Sequence, residues 1–208
     1  MKVYVIGNLK GGVGKTTTTV NLAYTYAEMG GRTLVIDLDP QCNCTRFFAK
    51  VNEYNKTIKD VLEAPEHINS AIYRTKYEDI DIIKGSVKTL EQKSPWSLKE
   101  ALGYIKKEYD VCLIDTRPVF DVLTKNALYA ADVLLTPVKF DNFCRDNLTM
   151  VEDAYHELKE KNPERTVKTV LFRIFLRQDH CIYLRSDFVE NTAPVKMQNI
   201  QFQPVSGA

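Results

Sequence analysis

Eight consecutive residues near the start of the chain, Lys10-Gly11-Gly12-Val13-Gly14-Lys15-Thr16-Thr17, constrain its fold more than any other feature. A short β-rich apolar run, residues 2–7, leads into them. Behind them Val20, Leu22, Ala23, Tyr26 and Ala27 recur at helical spacing until Gly30-Gly31 stops the pattern. A glycine-rich turn that leaves a strand and opens a helix converges several backbone N–H groups on one point. The positive end of the helix dipole lies behind them, and together they form a cradle for phosphate. Gly11, Gly12, Val13, Gly14, Lys15, Thr16 and Thr17 are the candidate nucleotide-binding residues. Lys15 is spaced to reach the β- and γ-phosphates of ATP, and the Thr16 hydroxyl to ligate Mg²⁺. The strict spacing GxxxxGK[ST] fails by one position, because Leu9 stands where the first glycine belongs, and Lys10 adds a second lysine.

The rest of the chain alternates. Buried-strand runs are expected at residues 33–37, 80–83, 111–115, 133–138 and 167–172, and helical stretches at 57–63, 97–108, 122–131 and 148–161. This order predicts an α/β fold, a doubly wound and mostly parallel sheet with helices on both faces. A chain of 208 residues holds one such domain with a proper core, assigned to residues 1–185, and 186–208 reads as an extended C-terminal tail. A net charge of +1 means that polyanion binding has to come from a local patch. Five cysteines with no CxxC pair read as reduced thiols. No apolar run is long enough to span a bilayer and no signal peptide precedes the first strand, so the expected location is cytoplasmic, with no membrane contact.

Three acids end predicted strands. Asp37 and Asp39 lie two apart, which on an extended backbone puts them on one face, and Asp115 ends the strand at 111–115. The carboxyl ends of strands form the ligand crevice of a doubly wound sheet, so all three belong at the edge that carries the phosphate loop. Handling metal and water is the functional reading; capping nearby N–H groups is the plain one.

The extra lysine makes the loop recognisable. It resembles the deviant Walker A motif of the ParA/MinD family of P-loop ATPases. Leu34-Val-Ile-Asp-Leu-Asp-Pro-Gln41, with Asn43 and Thr45, is similar to the family's second-strand motif, and Tyr109-Asp-Val-Cys-Leu-Ile-Asp115 to its Walker B strand. Pro137-Val138 sits at a further strand-end motif, and the resemblance runs to about residue 175. It implies an Mg-dependent ATPase, slow and partner-stimulated, closest to small ParA/Soj-like partition proteins. It further implies that Asp39 positions or deprotonates the attacking water, while Thr16, Asp37 and Asp115 support Mg²⁺. Lys10 would cross a face-to-face, ATP-dependent homodimer to the other subunit's phosphates; without the family it is a solvated lysine. The catalytic set is thus Lys10, Lys15 and Asp39. Thr116-Arg117-Pro118 departs from the family's frequent Pro-Pro step, and Arg117 could serve a phosphate or a neighbouring acid. Relative to the family the C-terminal tail is incomplete.

Arg165, Lys168, Arg173, Arg177 and Arg185 form a loose basic series in the last third. They are a solvated surface or, as the resemblance implies, a patch for non-specific DNA. The leading expectation is a switch for plasmid or chromosome partition whose ATP-bound dimer holds DNA until a partner protein triggers hydrolysis. The alternatives are a MinD-like membrane-surface ATPase, an ATP-dependent metabolic enzyme, and a nucleotide-gated scaffold with little turnover. The first of these needs a basic amphipathic C-terminal helix that residues 193–208 do not supply.

Overall fold

A computed structural model describes residues 1–50, 55–87, 94–138, 160, 167–176 and 182–186. Its centre is an eight-stranded sheet. In chain order the strands are β1 (Lys2–Ile6), β2 (Thr33–Asp37), β3 (Ile72–Arg74), β4 (Ile80–Ile83), β5 (Val111–Asp115), β6 (Val133–Val138), β7 (Lys168–Leu176) and β8 (Ile182–Ser186). Across the sheet they run β3-β4-β2-β5-β1-β6-β7-β8. The six inner strands are parallel, whereas β3 pairs with β4 and β8 with β7 in antiparallel fashion. The doubly wound, mostly parallel sheet expected from the sequence is therefore present, with two antiparallel edges that the sequence pattern did not reveal.

Period-two alternation sorts the strand residues onto two cores. Val3, Val5, Leu34, Ile36, Cys112 and Ile114 pack on one face against α3 (Ile58–Glu63), α4 (Ser97–Gly103) and α5 (Val122–Ala130). Ile6, Val35, Ile82 and Leu113 pack on the other against α1 (Lys15–Glu28) and α2 (Asn43–Phe48). All five residues of β2 and of β5 are buried, the mark of central strands covered on both faces. Each fully buried Leu or Ile contributes roughly 1.5–3 kcal/mol, so the site rests on a core whose burial far outweighs any single polar contact in it.

Local chemistry explains the helix ends. Thr57 and Asp60 form a reciprocal capping box that starts α3. The Asp121 carboxylate accepts from the Leu123 and Thr124 amides and starts α5. Asn126, fully buried in α5, accepts from the Leu98 amide and donates to the Ser94 carbonyl, which docks α4 on α5. Trp96 closes that junction against Tyr129 at 4.2 Å between ring centroids.

One expected helix is shorter, and two short elements were not foreseen. The helix expected over 97–108 ends at Gly103. Residues 65–71 form a 3-10 helix, and α2 is a short helix that no apolar periodicity announced. The helix expected over 148–161 falls outside the described residues apart from Glu160, as does the tail beyond Ser186. No described helix is long and apolar enough to cross a membrane.

Candidate nucleotide site

The loop is held at the carboxyl ends of β1 and β6. Gly7 lies so close to β6 that an added Cβ would stand 3.0 Å from Leu134 Cδ1. Buried Asn8 donates to the Pro137 carbonyl at 2.8 Å and accepts from the Lys10 amide at 2.8 Å, tying the loop to the end of β6. Gly12 and Gly14 take the left-handed conformation, with φ of 70° and 89°, where a side chain would be strained. Val13 turns inward and is buried. No atom stands within 4 Å of where a Cβ on Gly11 or Gly12 would be, so the loop's outer face opens on free space.

Helix α1 starts directly behind. Its N-terminus has no side-chain cap, in contrast to α5, and carries no acidic residue in the first turn. That is the arrangement for an external anion, and a phosphate fits it both in hydrogen bonding and in dipole. The Lys15 ammonium bends back and donates to the Lys10 carbonyl at 2.9 Å. Burial lowers the Lys15 pKa, and the negative charges of Asp115 and Asp39 oppose that shift.

Asp115, at the end of β5, accepts from the Thr16 hydroxyl at 2.7 Å and from the Thr19 hydroxyl at 3.2 Å. Its pKa is pushed up to about 7, chiefly by burial and also by the charges of Asp37 and Asp39, against the two hydroxyl bonds. Asp37 lies beside it in register on β2. It is fully buried and accepts from the Thr45 amide and hydroxyl at 2.8 and 2.7 Å and from the Asp39 amide at 3.0 Å. Gly85 admits this arrangement: its N–H donates to Thr45 Oγ1 at 2.8 Å, and a Cβ there would stand 2.9 Å from Cys42 Sγ and 3.1 Å from the Asp37 carboxylate.

A cleft of about 590 Å³ lies over these groups, lined by Gly11, Gly12, Gly14 and Lys15 to Thr17 on one side and by Asp39 to Gln41, Asn43 and Arg117 to Val119 on the other. The two acids of the second-strand motif therefore part company. Asp39 faces the cleft, while Asp37 stands behind it and spends its oxygens on Thr45 and on Asp39 itself. Lys10 and Val13 belong to the loop without lining the cleft. Arg117, open between two roles in the sequence, pairs with Asp121 at 3.4 Å. Sequence reasoning did not single out Gln41, Pro118 or Val119 as site residues; Gln41 had a signal as the end of the second-strand motif and Pro118 as part of the step after the Walker B strand, and Val119 had none.

Among the described residues no group of three or more His, Cys, Asp or Glu side chains could by itself hold a metal. The donors present, a hydroxyl and buried carboxylates beside a phosphate cradle, suit Mg²⁺, which keeps most of its waters and takes the rest from one or two protein groups and phosphate oxygens.

Comparison with known proteins agrees with this geometry. The model of a family described as an AAA domain matches residues 1–167. The chromosome partitioning protein ParA of Caulobacter vibrioides is 32% identical over 191 residues, covering 86% of this chain and 72% of its own. A plasmid partition protein from Borrelia burgdorferi superposes with a TM-score of 0.71 at 27% identity, over 83% of this chain and 77% of its own. A protein from Mycobacterium smegmatis described as cobyrinic acid a,c-diamide synthase, with bound ATP analogue and magnesium, superposes with a TM-score of 0.75 at 25% identity, over 86% and 78%. Identity at the level of the Caulobacter protein, spread over most of both chains, is not confined to the loop, and this chain belongs to the ParA family of P-loop ATPases.

Proposed function

We propose that this protein is an Mg-dependent ATP switch of the partition type, in which nucleotide state controls self-association and hold on DNA. The observation that carries the reading is that Asp39 opens on the same cleft as Lys15 and Thr16 while Asp37 fixes its backbone from behind. A carboxylate held across from a phosphate loop is placed to orient water for in-line attack, and phosphoryl transfer asks for little else beyond positioning and charge.

The residues divide the work as follows. The amides of Gly11 to Thr17 and the α1 N-terminus hold the phosphates. Lys15 leaves the Lys10 carbonyl and lays its charge on them. Mg²⁺ supplies neutralisation of the phosphate oxygens, and Thr16, with Asp115 and Asp37 behind it, would hold it, the acids largely through water. Asp39 orients the attacking water. Lys10 offers its ammonium to a second subunit across the open face beyond Gly11 and Gly12.

The name of the Mycobacterium smegmatis neighbour supports a second reading, an ATP-dependent synthetase. Hydrolysis of ATP to ADP with no acceptor present separates the two. For the DNA role, Lys168 and Arg173 lie on β7 and Arg185 on β8, where register pairs Arg173 with Arg185. Arg165 and Arg177 lie outside the described residues. Single-turnover hydrolysis and duplex binding, measured with and without Mg-ATP, test the whole proposal. Replacing Arg165, Lys168 and Arg185 together should weaken binding equally on every sequence and flatten the salt dependence by roughly 0.9 log units per lost phosphate contact. A sequence-selective loss, or none, counts against DNA as the partner.

A further inference from the structure

Arg117 is the charged cleft residue to which the reading above gives no task. Of the residues that line the cleft, Lys15 and Arg117 carry the cationic side chains, and Lys15 sits on the loop side. The triphosphate of ATP carries more negative charge than one ammonium and one divalent cation cancel. Arg117 is the further cation that the cleft wall offers.

The arginine is held so that it can be released. It follows Thr116 off the end of β5, and its guanidinium lies 3.4 Å from Asp121 Oδ2, with the two side chains 30% and 27% exposed. A part-exposed pair four residues apart is a weak tether. Asp121 does not depend on it, because Oδ1 alone accepts from the Leu123 and Thr124 amides at 3.1 and 3.0 Å. The α5 cap therefore survives if the arginine leaves. A phosphate offers the guanidinium a two-pronged, charge-assisted contact, and is the stronger partner. A proline at this position could do none of this.

We propose that Arg117 senses the triphosphate: it exchanges Asp121 for the terminal phosphate of ATP bound in the cleft and so lets the cleft tell ATP from ADP. The inference rests on the nucleotide reading of the preceding section. Its consequence for the fold is that the first turn of α5 loses an ion pair, but not its cap, whenever ATP is bound.

Isothermal titration of Mg-ATPγS and of Mg-ADP tests it on the unaltered protein and on Arg117→Ala, Arg117→Lys and Asp121→Asn, each checked by thermal melting. For Arg117→Ala the ATPγS affinity should fall about 10- to 100-fold, the worth of a charged hydrogen-bonded contact, while ADP affinity stays within about twofold. Arg117→Lys should keep part of the preference, as a point charge without the fork. Asp121→Asn, which preserves the cap, should bind ATPγS as tightly or more tightly. An unchanged ATPγS-to-ADP ratio in Arg117→Ala overturns the proposal. Equal loss of both nucleotides in Arg117→Ala and in Asp121→Asn overturns it too, since the pair would then be a clamp on α5. Failure of the unaltered protein to bind either nucleotide sinks the nucleotide reading itself.

Discussion

The Lys15 ammonium lies 2.9 Å from the Lys10 carbonyl oxygen, so the loop's two lysines are joined through the backbone of one and the side chain of the other. On the proposed reading Lys15 gives up that carbonyl when it turns to a phosphate, while the Lys10 amide keeps its bond to Asn8 Oδ1. In the proposed function the cis-acting and the trans-acting cation meet at this bond.

Lys15→Ala should abolish Mg-ATP binding. On the proposed reading Lys15 supplies the charge seated directly on the β- and γ-phosphates, and the amide cradle alone does not balance a triphosphate. Titration with a fluorescent ATP analogue checks this; unchanged affinity would mean that the loop is not the nucleotide site.

Asp39→Ala should keep ATP binding and slow hydrolysis roughly 10²- to 10⁴-fold, the usual worth of a positioned base. The fold should tolerate the change, because Asp37 receives the Asp39 backbone amide rather than its side chain. Single-turnover hydrolysis beside a binding titration reads both quantities. Equal loss of binding and turnover would make Asp39 a structural or metal-anchoring residue instead.

Lys10→Ala should leave monomer affinity nearly intact and lower turnover by up to on the order of 10³-fold, by analogy with a cation offered in trans at the transition state. ATP-dependent dimerisation should fall with it. Sedimentation of the Asp39→Ala protein in Mg-ATP, with and without Lys10→Ala, measures this. A dimer that persists unchanged without Lys10 removes the trans-acting role.

Cys42 should resist alkylation in the folded protein. Burial, and after it the negative charge of Asp37, push its thiol up to about 11. With that pKa roughly one molecule in a thousand carries the thiolate at pH 8, and the side chain has no exposed surface. Peptide mapping after iodoacetamide treatment at pH 8 should find Cys42 and Cys44 unlabelled in native protein and labelled in urea. Rapid native labelling of Cys42 would show that the α2 start opens in solution.

Two kinds of information separate in this molecule. What lies within a few residues along the chain was legible without a structure. The glycines at 11, 12 and 14 with Lys15 and Thr16 specify a phosphate loop because curvature, amide convergence and helix start are local backbone properties. Runs such as Leu34–Ile36 and Val111–Ile114 announce central parallel strands because burial on both faces demands unbroken apolar residues. The short elements were not legible. α2 begins at Cys42 in the left-handed region and has too few turns to show a period, and β3 is three residues whose antiparallel pairing depends on β4. Tertiary structure alone decided how the acids divide: Thr16 meets Asp115 across 99 residues, and Asp37, set beside Asp115 in register, spends its carboxylate on Thr45. Those pairings follow from the register of β2 and β5 in the sheet, and register is set by how two cores pack at once. No window of sequence contains both.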